Sequence, residues 1–130
     1  MNKKGFTLIE LLAVIVVLAI IALIATPVVM NTIADAKNEA NERSLEKYAT
    51  QLELGYANAM LNAENDTDAE KQAAAKTYAD GNINGTVPTI AEGKLTWEAN
   101  KGVVSQIEAT IDTGTYCYKA KEGASTGACK

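Results

Sequence analysis

The chain has 130 residues and a net charge of −4 at pH 7, with no histidine and two cysteines. This length allows one domain at most. The acidic balance, and the lack of a basic stripe with interleaved aromatic residues, argue against a direct nucleic-acid ligand. Without histidine the chain lacks the commonest general base and metal ligand, and two cysteines are too few for a cysteine-built zinc site. We therefore expect no enzyme activity, no metal and no cofactor.

An apolar segment near the N-terminus is the first predicted element. Residues 6–30 contain one charged residue, Glu10, and residues 11–30 are uncharged and mostly apolar. About 20 such residues are enough for an α-helix to cross the hydrocarbon layer of a bilayer. Lys3 and Lys4 precede the segment, and the positive-inside rule places them in the cytoplasm. The sequence thus predicts a plasma-membrane helix with its N-terminus inside and the rest of the chain outside.

Glu10 needs an explanation of its own within this segment. A carboxylate at membrane depth costs about 2.5–3.5 kcal/mol even on lenient insertion scales, which indicates a functional residue with a specific partner. Alternatively, Glu10 reaches the headgroup layer, since it lies near the start of the span. The segment could also be a signal peptide with a cleavage site at residues 34–36, or a plain membrane anchor. A signal peptide has a shorter apolar region, and a plain anchor gives no reason for Glu10.

The residues around Glu10 resemble a known processing signal. The stretch Lys-Lys-Gly-Phe-Thr-Leu-Ile-Glu at residues 3–10, followed by an apolar helix, closely resembles the class III signal of type IV pilins and their pseudopilin relatives. The resemblance implies that a prepilin peptidase cuts between Gly5 and Phe6 and removes residues 1–5 as a cytoplasmic leader. It also implies that the new α-amine of Phe6 is methylated.

The new amine supplies a partner for Glu10. If Phe6 lies one helical turn below Glu10, the amine of a subunit entering a helical filament can reach the Glu10 carboxylate of a neighbour already in place. Such pairing compensates two charges that would each cost several kcal/mol if left alone in the filament core. We therefore assign Glu10 as the residue that sets the assembly register.

Pro27 is the second informative residue of the apolar segment. Its missing N–H and its ring should kink or loosen the helix over residues 23–27. The resemblance to pilins favours a functional role, in which this region melts on assembly and lets the fibre stretch. The alternative is an ordinary transmembrane proline, whose freed carbonyl is satisfied by Thr26 or by a neighbouring helix.

The helix is predicted to continue beyond the membrane. Residues 31–61 form an amphipathic continuation of residues 6–30, because apolar residues recur at three- and four-residue spacing on one face. This face consists of Leu45, Tyr48, Ala49, Leu52, Tyr56, Ala59 and Met60. A helix from Phe6 to Leu61 would be about 84 Å long. Its first half must contact membrane or other copies of the chain, and its second half should pack against the rest of the protein.

Residues 62–93 are predicted to be loop-rich, with one short helix. The Thr-Asp-Ala-Glu sequence at residues 67–70 has the pattern of a capping box, and the helix it starts should end near Asp80-Gly81. The acidic residues between 66 and 70 are spaced as in a calcium loop. However, lysine and threonine stand where an EF-hand needs glycine and glutamate, so no metal site is expected there.

The C-terminal part is predicted to form an antiparallel meander, because apolar and polar residues alternate with a period of two. The predicted strands are residues 94–99, 103–111 and 115–119. Residues 100–102 offer a three-residue hairpin loop in which Gly102 is placed for a positive φ, and residues 112–114 form the second turn. The apolar face of this sheet, including Trp97, should cover the stripe on the long helix.

Cys117 and Cys129 are candidates for a disulfide bond, with two free thiols as the alternative. In an oxidising exterior, a bridge closing so short a loop contributes about 2–3 kcal/mol by the chain-entropy estimate. Many type IV pilins carry a C-terminal disulfide that bounds a surface loop used in subunit contact or adhesion. This cysteine pair resembles that bond in placement.

These features together predict an α+β pilin fold with a long N-terminal helix and a small globular head at residues 62–130. The resemblance implies a structural subunit of an extracellular type IV pilus that serves adhesion and twitching motility. The implied partners are other copies of the chain, the prepilin peptidase, the pilus assembly platform with its ATPase, and the plasma membrane before assembly.

Two related functions share the same N-terminus. One is a competence pseudopilin for DNA uptake, and the other is the main pseudopilin of a type II secretion system. The latter typically has an acidic calcium loop in its C-terminal region, whereas residues 119–123 read Lys-Ala-Lys-Glu-Gly here. This difference favours a pilin. An anchored enzyme is the remote alternative, and the lack of histidine and of a nucleophile constellation counts against it.

Overall fold

The computed structural model of the protein describes residues 5–62 and 67–130, so the predictions for Lys3, Lys4 and Asp66 lie outside it. Within these ranges the elements are α1 Leu8–Asn62, α2 Asp68–Asn82, β1 Thr89–Trp97, β2 Val104–Ile111, β3 Gly114–Lys119 and β4 Gly123–Thr126. The predicted α+β class is confirmed, because a long apolar N-terminal helix continues into a part that packs on a small antiparallel sheet. The chain divides into two compact units, Met1–Lys37 and Asn38–Lys130. We call the second the head unit.

The first unit contains the apolar part of α1. All residues from Gly5 to Lys37 are exposed, although those from Phe6 to Met30 are mostly apolar and include a single charged residue, Glu10. α1 begins at Leu8, two residues later than predicted, because Thr7 caps it. Among the described residues, α1 is the one helix that is long and apolar enough to cross a membrane.

Residues 38–62 of α1 bury one face within the head unit. Leu45, Tyr48 and Leu52 are fully buried and Tyr56 is nearly so, as the predicted stripe requires. The stripe ends earlier than predicted, because Met60 is 55% exposed. The tight contacts of α1 with α2 and with the β1–β2 loop are made one turn before Met60, at Gly55 and Tyr56.

α2 packs closely against this part of α1. Its predicted capping box is confirmed, since the Thr67 side chain accepts the Glu70 N–H while the Glu70 side chain accepts the Thr67 N–H. Ala75 and Ala79 are buried. A Cβ added at Gly55 would lie 2.8 Å from the Cα of Ala75, so the two helix backbones approach too closely for any larger residue.

The sheet has four antiparallel strands in the order β1-β2-β3-β4, one strand more than predicted. β1 starts at Thr89 rather than Lys94, and its register with β2 shifts between Ile90 and Leu95, where Gly93 has a φ of 75°. This irregularity breaks the alternation that would have indicated the first half of the strand. β4 consists of small residues without an apolar alternation, which is why the sequence pattern missed it.

One face of the sheet completes the core on α1. The buried residues of this face are Val104, Ile107, Ala109, Ile111 and Tyr116. Trp97 is half-buried at the edge of the core, with its ring centroid 5.5 Å from that of Tyr56. Gly102 has a φ of 65°, which confirms the predicted hairpin geometry. Ala99 lies beyond the end of β1 and is exposed, contrary to the predicted alternation.

Candidate processing and assembly segment

A capping box joins Thr7 and Glu10 at the start of α1. The Thr7 N–H donates to Oε2 of Glu10 at 2.9 Å, and the Glu10 N–H donates to Oγ1 of Thr7 at 3.3 Å. Each residue thereby satisfies a backbone donor of the first helical turn, and the carboxylate lies at the positive end of the helix dipole. Glu10 therefore has a partner inside its own chain.

The predicted cleavage bond lies outside this capped helix. Gly5 and Phe6 precede α1, and the Phe6 side chain is 88% exposed. The expectation that Phe6 lies in the helix, one turn below Glu10, is wrong in this structure. Thr7 caps the N-terminus of α1, so the helix begins at Leu8. Sequence reasoning missed Thr7, although Thr-Leu-Ile-Glu has the same capping pattern that was recognised at residues 67–70.

The helix that follows presents apolar side chains on all sides. Among the most exposed are Leu8, Ile9, Leu11, Leu23, Ile24, Val28, Met30 and Ile33. None of the residues in the most apolar part of α1 is buried. Exposed apolar surface of this extent is unfavourable in water, so it marks a surface for lipid or for other protein chains.

Pro27 lies within α1, and the helix continues on both sides of it. The hydroxyl of Thr26 donates to the Ala22 carbonyl at 2.6 Å, and that of Thr32 donates to the Val28 carbonyl at 3.0 Å. Pro27 has no N–H to donate to the carbonyl four residues before it. The Thr26 hydroxyl binds the preceding carbonyl, that of Ala22, and not the one that lacks a donor. Threonine back-bonding of this kind slightly destabilises and bends helices, as does an internal proline.

Residues 1–26 match the family model described as the prokaryotic N-terminal methylation motif. The matched segment includes the predicted cleavage site at Gly5 and Phe6, the capped Glu10 and most of the exposed apolar surface. The N-terminal segment is that of a type IV pilin-like prepilin. This motif implies processing by a prepilin peptidase and assembly into a pilus system, and the pilin-like family is structural rather than enzymatic. Comparisons with curated proteins and with solved structures gave no significant match.

Polar side chains of α1 connect the sheet to the helix. The Tyr116 hydroxyl donates to Oδ1 of Asn38 and accepts from Nδ2 of Asn41, each at 3.0 Å. One turn further along, Oε1 of Glu42 accepts from the Thr126 hydroxyl at 2.7 Å. These bonds join α1 to β3 and β4 across the edge of the core.

Two further glutamates of α1 satisfy backbone donors of the sheet. Oε1 of Glu46 accepts the Ala124 N–H of β4 at 3.1 Å, and Oε1 of Glu53 accepts the Val104 N–H of β2 at 3.0 Å. Burial raises the pKa of Tyr118 between them, and the charges of Glu53 and Glu46 raise it further. These contacts fix the sheet on α1 but have no sequence signature, because the partners lie far apart in the chain.

The Tyr48 hydroxyl links α1 to α2 beneath the core. It donates to Oδ1 of Asp80 at 2.5 Å, and Nζ of Lys76 donates to Oδ2 of the same residue at 2.8 Å. Burial raises the pKa of Tyr48 well above its ordinary value, and the bond to Asp80 raises it further. Burial alone would raise the pKa of Asp80, but the hydrogen bonds from Lys76 and Tyr48 outweigh it and lower that pKa.

Cys117 and Cys129 are joined by a disulfide bond with an S–S distance of 1.99 Å and Cα atoms 5.1 Å apart. Cys117 lies in β3, and the chain after β4 brings Cys129 back to the sheet. Among the described residues, no group of three or more histidine, cysteine or acidic side chains is placed to hold a metal ion.

Proposed function

We propose that the prepilin is the structural subunit of an extracellular type IV pilus that serves adhesion and twitching motility. The observation that carries this proposal is the uniformly exposed apolar surface from Phe6 to Ile33, which directly follows a cleavage signal. Before assembly this surface needs a bilayer, because water is an unfavourable environment for it. In a filament the same surface is buried by other copies of the helix. The proposed partners are therefore the plasma membrane first, and a helical homo-oligomer afterwards.

Processing occurs, in this proposal, at the bond between Gly5 and Phe6 on the cytoplasmic side. The position of Gly5 and Phe6 before the start of α1 supports this assignment, since a peptidase needs its scissile bond outside a helix. Gly5 adds no side chain at the cut, and nothing lies within 4 Å of where its Cβ would be. The peptidase removes the leader and frees the α-amine of Phe6, which is then methylated.

Glu10 acts as the assembly register through an exchange of partners. In the unassembled chain its carboxylate accepts the Thr7 N–H. A carboxylate offers two oxygens and about four lone-pair sites, so it can also accept the charged Phe6 amine of an adjacent subunit. The hydrogen bond between the ammonium group and the carboxylate is stronger than the one from the Thr7 amide N–H, because both of its partners are ionised. Only a subunit at the correct height along the filament axis presents its amine to this carboxylate.

Pro27 and its flanking threonines supply a soft point in the assembled helix. The backbone near residues 23–27 has one amide donor fewer than a regular helix, and the Thr26 hydroxyl competes for the Ala22 carbonyl. We expect this region to melt on filament assembly and so to let the fibre stretch. The disulfide-bounded tail at residues 117–129 would then lie on the head, where it serves subunit contact or adhesion.

A pseudopilin of a competence or type II secretion system is the second candidate. The disulfide, and the sequence Lys-Ala-Lys-Glu-Gly at residues 119–123 instead of an acidic loop, favour the pilin. No bound nucleic acid, cofactor or catalytic reaction is part of the proposal. The assembly platform and its ATPase are the remaining expected partners.

Electron microscopy of surface filaments tests the proposal. Filaments and twitching zones are compared between cells that make the chain, cells deleted for it, and deleted cells that express it from a plasmid. Loss of both on deletion, with restoration by the plasmid, supports the pilin. Filaments and twitching that survive the deletion, while DNA uptake or protein secretion is lost, support the pseudopilin instead.

A further inference from the structure

Glu108 lies beside Cys117 on the sheet face opposite the core. Side chains alternate between the two faces of a strand, so Glu108 points away from the face that buries Ile107 and Ala109. Glu108 and Cys117 are direct partners in the register of β2 with β3. The pair is therefore side by side where the C-terminal tail crosses the sheet.

The Glu108 carboxylate holds the tail at Cys129 itself. Its Oε2 accepts the Cys129 N–H at 2.9 Å, and its Oε1 forms an ion pair with Nζ of Lys94 at 3.0 Å. The Glu108 side chain is 17% exposed. The hydrogen bond from Lys94 lowers the pKa of Glu108, and the bond from Cys129 lowers it further, so the carboxylate is ionised at neutral pH.

Other contacts of the tail also lie close to the two cysteines. Sγ of Cys129 lies 3.4 Å from the Ile107 carbonyl oxygen, a position in which a reduced thiol could donate a hydrogen bond. Upstream, the Gly127 N–H donates to the Thr115 carbonyl at 2.7 Å. The hydrogen bonds donated by the Cys129 and Gly127 N–H groups do not involve either sulfur, so the tail of the dithiol chain can dock before oxidation.

We propose that Glu108 is a positioning residue for the oxidation of Cys117 and Cys129. By accepting the Cys129 N–H, it brings the two sulfurs together and raises their effective concentration. Nζ of Lys94 pairs with the Glu108 carboxylate at 3.0 Å, so the charge of the group that holds the tail is compensated. The inference concerns the head unit and does not depend on the filament role.

The oxidation itself is thiol–disulfide exchange with an external disulfide such as oxidised glutathione. One protein thiolate attacks a sulfur of the external disulfide, which releases one external thiolate and leaves a mixed disulfide. The second protein thiolate then displaces the second external thiolate and forms the Cys117–Cys129 bond. Two electrons pass to the external disulfide, and the two protons of the protein thiols end on the released thiols. Glu108 neither gains nor loses a proton.

The test measures the effective concentration of the two thiols in the full chain in detergent micelles. The protein is equilibrated in glutathione redox buffers, and its reduced and oxidised forms are counted by thiol alkylation and mass spectrometry. Removing a hydrogen bond to a charged acceptor predicts a fall of about tenfold for Glu108→Ala. Glu108→Gln keeps an acceptor for the Cys129 N–H and should lose less. Glu98→Ala removes another carboxylate of the sheet region, paired with Lys101 at 3.2 Å, and should change nothing.

A second measurement separates docking from overall stability. In the Cys117→Ser/Cys129→Ser protein no covalent link is possible, so protection of the residue 129 amide from hydrogen exchange reports docking alone. We expect protection that Glu108→Ala abolishes while the amides of the core strand β2 remain protected. An unchanged effective concentration in Glu108→Ala would overturn the proposal. So would an equal fall in Glu98→Ala, or an unprotected residue 129 amide in the sulfur-free protein with Glu108 intact.

Discussion

Replacing Gly102 by alanine would make a methyl group clash with one edge of the Tyr56 ring. The added Cβ would lie 2.2 Å from Cδ1 and 2.4 Å from Cε1 of this ring. Tyr56 is 5% exposed and contacts Trp97, so the ring has little space to move. Overpacking of this kind costs about 1–3 kcal/mol. The positive φ of Gly102 adds about 1–2 kcal/mol for any residue with a Cβ.

Gly93 provides the matched control for this substitution. Its φ of 75° is close to the 65° of Gly102, but no atom lies within 4 Å of its added Cβ. Gly93→Ala therefore carries the backbone cost alone, and Gly102→Ala carries the steric cost in addition. For a unit of this size each kcal/mol lowers the melting temperature by about 4–8 °C, so Gly102→Ala should melt at least about 4 °C below Gly93→Ala.

Thermal unfolding followed by circular dichroism in detergent measures the difference. Combining Gly102→Ala with Tyr56→Ala should relieve most of the steric cost, because the ring that the methyl group meets is gone. Equal melting temperatures for the two glycine variants would refute the reasoning. So would a Gly102→Ala penalty that is undiminished when the Tyr56 ring is absent.

The remaining predictions concern assembly and pH. In cells that make only Glu10→Ala, processed subunit should accumulate in the membrane with few filaments, because the Phe6 amine of the neighbour is left unpaired at a cost of about 3–5 kcal/mol. Thr7→Ala, which keeps the carboxylate and the backbone donor, should retain filaments by electron microscopy. Normal piliation by Glu10→Ala would contradict the pairing of Glu10 with the Phe6 amine. Accumulation of uncleaved precursor would instead show that Glu10 is needed for recognition by the peptidase. For Tyr48, whose pKa is raised from 10.0 on folding, only the unfolded state ionises just above pH 10, so head stability should fall as pH rises from there. Tyr48→Phe should make that alkaline decline shallower in urea titrations, and an unchanged slope would contradict the role of burial and of Asp80.

Sequence reasoning reached the parts of the fold that depend on local periodicity. The buried stripe of α1, the capping box at residues 67–70 and the hairpin at Gly102 each follow from residues close together in the chain. β4 does not, because its small residues are held by distant groups such as Glu46, which binds the Ala124 N–H. The start of β1 was hidden by an irregular register, which no period of two can reveal.

The N-terminal segment shows the converse case, because its capping box is a local pattern. Thr7 and Glu10 have the spacing of a capping box, but they lie in an apolar segment in which a carboxylate also indicates a functional residue at membrane depth. The carboxylate is already hydrogen-bonded before any neighbour arrives. Assembly then exchanges or adds a partner, rather than rescuing an isolated charge.

Mass spectrometry of the surface form identifies its first residue, and processing at a single bond connects the N-terminal signal to the filament. We expect a chain that begins at Phe6 with a methylated α-amine and retains Glu10. A surface form that begins at Met1, or at Lys37 as after signal-peptidase cleavage, would contradict processing by a prepilin peptidase.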